Sequence, residues 1–192
     1  MNRFLTCLVA AALAAAVAGP AKVGKVAEAA EAPKKSPQPS PLAGVTQRIG
    51  VNDVAITYHR PSVKGRKIWG ELVPYDQVWR AGANEATTIS FSEDVTVEGR
   101  SLPAGTYAFF AIPGKQEWTL VFNREAKQWG AFSYKEAQDA LRVKVTPKAV
   151  PAEEWLSYRF RDLTLNSATV VLAWEKLEVP FVLRNRVEVK AK

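Results

Sequence analysis

The run Trp79-Arg80-Ala81-Gly82-Ala83-Asn84-Glu85 brings a guanidinium, a carboxamide and a carboxylate together among residues small enough to let another molecule approach the backbone. A guanidinium binds carboxylate or phosphate through two parallel hydrogen bonds, and a carboxylate can accept a hydroxyl hydrogen or move a proton. Two readings follow. In one, Arg80 and Glu85 form an ion pair that pins a long loop, with Asn84 fixing its turn. In the other, Trp79, Arg80, Asn84 and Glu85 line a pocket for a polar ligand, and Glu85 is the candidate acid or base. Upstream, Arg60 and Arg66 are the candidates for holding an anionic group, with Lys64 and Lys67 beside them. Lys64-Gly65-Arg66 lacks the spacing of a phosphate loop.

Other chemistries find few residues. His59 is the sole histidine, so a Ser-His-Asp triad would have to use it, and no Gly-x-Ser-x-Gly elbow accompanies it. Alternation along its strand sets it opposite Val54, Ile56 and Tyr58, which predicts a surface side chain. The only cysteine, Cys7, lies in the leading apolar segment, leaving no thiol nucleophile, zinc thiolate or iron-sulfur ligand in the folded region. Ser92-Glu93-Asp94 and Asp162 with Asn166 lack the dense acidic loop of a calcium site, so neither metal nor cofactor is expected. A hydrolase or lyase would need paired carboxylates, Glu85 with Asp76 or Glu71, acting on an envelope glycan. The six tryptophans could offer platforms for sugar rings, but Trp118 and Trp174 are in phase with apolar neighbours and are expected in the core.

The elements that must position these groups are strands. Val54, Ile56 and Tyr58 alternate with Ala55, Thr57 and His59; comparable alternation runs through 118–122, 141–145 and 156–160. Further strands are predicted at 45–49, 87–91, 94–98, 106–112, 169–174 and 179–183. About ten strands separated by turn residues predict an all-β fold, an antiparallel β-sandwich with a long irregular loop over 60–86. Glu98-Gly99-Arg100 predicts a hairpin turn. Ser133 and Glu136 have capping-box spacing, which predicts one short helix ending near Ala140.

The ends of the chain have a different character. Asn2 and Arg3 lead into a run of fourteen residues, Phe4 to Val17, apolar but for Thr6, too short to span a bilayer and ending in the small-any-small site Ala16-Val17-Ala18. Residues 1–18 thus read as a secretory signal peptide, and export to the periplasm or cell envelope is expected. Residues 19–44, rich in Ala, Pro, Lys and Ser, read as a disordered linker. The net charge of +7 comes largely from the linker and the basic tail 184–192, because residues 45–183 hold 17 basic against 16 acidic residues. That near balance argues against a nucleic-acid groove, which needs basic charge concentrated on a folded face.

The run from Arg60 to Gly114, followed by EWTLVFN and QWGAF, resembles an exported bacterial family known as domain of unknown function 2911. The resemblance covers residues 45 to about 183. It implies a periplasmic or envelope location and supplies no established activity, cofactor or catalytic residue. The expected function is a non-catalytic module that binds a glycan, peptide or anion through loop 60–86.

Overall fold

The structure is a computed structural model, and it describes residues 38–186. Ten strands form two sheets in which every pairing is antiparallel. The larger sheet runs β1 (Leu42–Ile49), β2 (Asn52–His59), β3 (Thr87–Phe91), β6 (Gly105–Ile112), β7 (Trp118–Asn123) and β8 (Asp139–Val145). The smaller runs β5 (Arg100–Leu102), β4 (Val95–Val97), β10 (Ser167–Asn185) and β9 (Lys148–Arg161). Together they make the β-sandwich that the alternation predicts. Phe109 of β6 stacks on Phe181 of β10 with centroids 5.6 Å apart, and Tyr58 of β2 meets Tyr158 of β9 edge to face at 4.6 Å. Burying one such phenylalanine stabilises the fold by roughly 2–3 kcal/mol before entropy is counted.

Several boundaries differ from the sequence expectation. β1 starts at Leu42, inside the span read as linker, and β10 continues through Asn185, into the span read as tail. The strands predicted at 169–174 and 179–183 are one strand, bent by register shifts around Glu175, whose φ is +55°. Pro180 falls between its pairing with β9, which ends at Glu178, and its pairing with β4, which begins at Leu183. A residue without an N–H is tolerated there because no rung of the ladder needs one. Glu98 and Gly99, with φ of +48° and +77°, make the two-residue turn joining β4 to β5.

The predicted helix is a single 3-10 turn, Glu136–Gln138, without a side-chain cap at its start. Tertiary bonds take its place. Asn123 donates to the Lys135 carbonyl at 3.0 Å and to the Asp139 carboxylate at 2.8 Å, while Tyr134 donates to Asp139 at 2.6 Å. Asp139 then pairs with Asn123 as the first residue of β8, so too few residues remain to nucleate an α-helix. Among the described residues, no helix is long and apolar enough to cross a membrane. The proposed signal segment, the cleavage site and residues 187–192 lie outside the described residues.

The long loop is anchored by its tryptophans. Trp69 and Trp79 enter the core and meet Trp118 of β7 and Trp174 of β10, Trp69 lying 4.9 Å from Trp118 and Trp79 stacking on Trp174 at 6.0 Å. Trp79 also exchanges two backbone hydrogen bonds with Ala111 of β6, at 2.8 and 2.9 Å. It thereby occupies the flank of β6 beyond the end of β3.

Candidate functional site

The loop returns to the sheet through a tight turn. The Ala81 carbonyl accepts the Thr87 hydroxyl at 3.0 Å and the Tyr158 hydroxyl at 2.8 Å, and the Ala83 N–H donates to the His59 carbonyl at 3.3 Å. Burial raises the Tyr158 phenol well above its ordinary value, so it stays a donor. Ala81 and Asn84 hold φ of +51° and +54°, a conformation that costs a residue with a Cβ about 1–2 kcal/mol. Gly82 needs its missing side chain for closeness: a Cβ there would lie 2.9 Å from the Thr87 hydroxyl and 3.1 Å from the His59 carbonyl.

Beyond this turn, residues 84–86 pair with 128–130. The Ala86 N–H donates to the Gln128 carbonyl at 3.0 Å and the Gly130 N–H to the Asn84 carbonyl at 3.1 Å, with Glu85 opposite Trp129. Residues that face each other between two such bonds carry their side chains side by side. Glu85 and Trp129 therefore stand together, and Trp129 is 59% exposed. Beside them His59 presents Nε2 to the Glu85 carboxylate at 2.8 Å. Its Nδ1 lies 2.9 Å from the Ser40 carbonyl and 3.1 Å from the Asn84 amide nitrogen; that nitrogen donates to the Gln38 side chain at 2.9 Å. Both ring nitrogens are thus engaged, while Glu85 keeps half of its side chain in solvent. His59, Glu85 and Trp129 line an open cavity of about 500 Å³, whose walls also include Leu42, Thr57, Thr88, Lys127 and Gln128.

The sequence-predicted residues are distributed as follows. Asn84 and Glu85 belong to this site. Arg80 does not pair with Glu85: the ion-pair reading is corrected, because Glu85 pairs with His59 and Arg80 has no ion partner among the described residues. Burial lowers the Arg80 guanidinium below its ordinary value. Trp79 is a core residue, only 9% exposed, so its predicted contact with ligand is replaced by stacking on Trp174. Arg60 donates to the Leu156 carbonyl at 2.9 Å, and Arg66 to the Val63 and Ser62 carbonyls at 3.0 and 2.5 Å. Both fasten the loop. Glu71 pairs with Lys67 at 2.9 Å, and neither it nor Asp76 lines the cavity.

His59 itself is 8% exposed, contrary to the surface position expected from alternation. The strand alternates as predicted, but its last residue is roofed by Ser40 and by the 84–86 segment, which belong to no regular pattern. Trp129 was visible as an isolated indole before a glycine, but only its long-range pairing with Glu85 makes it part of the site.

No curated protein and no solved structure matches this chain. One family model does, over residues 40–183, from Ser40, whose carbonyl meets His59, to the β4-paired part of β10. Its span contains Ser40, His59, Glu85 and Trp129, and on that match the chain belongs to the family described as protein of unknown function (DUF2911).

Proposed function

We propose that this protein is an exported, non-catalytic binding module of the periplasm or cell envelope, and that it takes a glycan at the cavity of His59, Glu85 and Trp129. The observation that carries the reading is the side-by-side placement of an exposed indole and a half-exposed carboxylate. An aromatic face packs on the C–H face of a sugar ring, and a neighbouring carboxylate accepts hydroxyl hydrogens. His59 holds Glu85 in position, which spares the ligand the cost of ordering it. Among the described residues Glu85 is the single carboxylate lining the cavity, and the His59 nitrogens are already engaged, so the geometry favours binding over paired-carboxylate hydrolysis.

The test is a thermal-shift and calorimetric screen of the full chain against neutral and acidic oligosaccharides. A bound saccharide should raise the melting temperature, because it binds only the native state. Trp129→Ala and Glu85→Gln should each weaken binding about tenfold or more, as expected for central contacts. Shortened saccharide appearing in the reaction would replace this reading with the carboxylate-based hydrolase or lyase. Binding that survives both substitutions would move the site elsewhere.

A further inference from the structure

Arg80 stands out among the basic residues of the loop. Arg60 and Arg66 spend their guanidinium groups on backbone carbonyls, Lys67 pairs with Glu71 and Lys64 is exposed, whereas the partly buried Arg80 side chain bonds no group among the described residues. Its Nε is buried without an acceptor among the described residues, in a residue that is only partly exposed. A guanidinium kept partly out of water with no acid beside it is costly, and such cost is retained where a ligand supplies the missing anion. The loop holds it there by force of geometry, since the next residue, Ala81, keeps φ at +51°.

Its position is equally specific. An Arg80 terminal nitrogen lies 3.8 Å from the point where a Cβ on Gly130 would sit, and the Phe132 ring lies 3.0 Å from the same point. Gly130 follows Trp129 directly and bonds the Asn84 carbonyl. Any other residue would put a side chain between the guanidinium and the ring. Phe132 is 84% exposed, so a second aromatic face stands open beside the Arg80 guanidinium, three residues from Trp129.

We propose that Arg80, Gly130 and Phe132 form a carboxylate subsite next to the cavity, and that the ligand is an acidic saccharide of at least two rings. This inference rests on the glycan reading above. One ring covers Trp129 with hydroxyls donated to Glu85; the next lies against Phe132, its carboxylate accepting two parallel N–H bonds from Arg80. The planar fork of a guanidinium matches that group, and an ammonium does not.

The experiment uses the full chain and three uronate trimers, of galacturonate, glucuronate and mannuronate, each beside its fully methyl-esterified form. Esterification removes the charge and keeps the skeleton. Calorimetric titration at one fixed ionic strength should show at least one acid binding about tenfold tighter than its ester, the worth of a charge-assisted hydrogen bond. Arg80→Gln should abolish that preference, and Arg80→Lys should restore only part of it. Lys148→Gln, an exposed site with the same change in charge, should keep the preference. Near-ultraviolet circular dichroism of each variant checks that the fold is retained. If acids and esters bind equally, or if Lys148→Gln acts like Arg80→Gln, the subsite falls and the cavity reading stands. If none of the six saccharides binds, the subsite falls, and the screen against neutral oligosaccharides decides the cavity reading.

Discussion

At the scale of single residues, the two charges that look like partners in the sequence have different attachments. Glu85 is held by His59, and Arg80 is held by no acid among the described residues. Their energetic consequences should therefore separate. Arg80→Met removes a desolvated, unpaired charge and keeps most of the apolar stem, so it should raise unfolding free energy by about 1 kcal/mol, as stabilising substitutions at functional positions do. Denaturant unfolding measures this; a loss of stability would show that Arg80 has an acid partner in solution. In the same assay the effects of Arg80 and Glu85 substitutions should add. His59 and Glu85 should instead be coupled, by at most about 1 kcal/mol because the carboxylate is over half exposed.

At the scale of elements, the site depends on how a loop without periodicity is fixed to two sheets. Tyr158 from the smaller sheet and Thr87 from the larger both bond the Ala81 carbonyl, so the turn at 81–83 bridges the sandwich just beneath His59. Gly82→Ala places a methyl 2.9 Å from the Thr87 hydroxyl, and something must move. The expected loss is about 1–3 kcal/mol, the usual cost of overpacking, with a further loss of saccharide affinity as His59 is displaced. An unchanged melting temperature together with unchanged binding would show that the turn is looser than described. The loop's legibility follows the same division. Its polar residues mark it as a place of interest, but nothing local says that Trp69 and Trp79 turn inward, because their partners Trp118 and Trp174 lie on distant strands.

For the whole molecule, the sheets were readable wherever a strand has one buried face, since period-two alternation reports that burial directly. Elsewhere expectation and structure part for physical reasons. β5 is three residues long, too short to show a period, and β10 carries a bulge and a proline that divide one strand into two apparent ones. The capping-box pattern at Ser133 yields to the hydrogen bonds of Asn123 and Tyr134. His59 obeys the alternation but is covered by segments outside it. The candidate site was half visible: Asn84 and Glu85 adjoin in sequence, whereas His59 and Trp129 reach them only through strand pairing.

The tryptophans also divide the protein into two optical compartments. Trp69, Trp79, Trp118 and Trp174 form one packed cluster, away from water and within 6.4 Å of one another where their rings meet. Excitation absorbed by any of them is shared, and their emission should be blue-shifted and inaccessible to a soluble quencher. Trp129 and Trp155, 59% and 40% exposed, should emit further to the red and be quenched by iodide. The chain thus carries one intrinsic dye for its core and another for its surface, and Trp155→Phe would leave Trp129 as the surface dye. In that variant a saccharide at the cavity should protect the red component from iodide and leave the blue component unchanged, whereas unfolding should merge the two into one quenchable band.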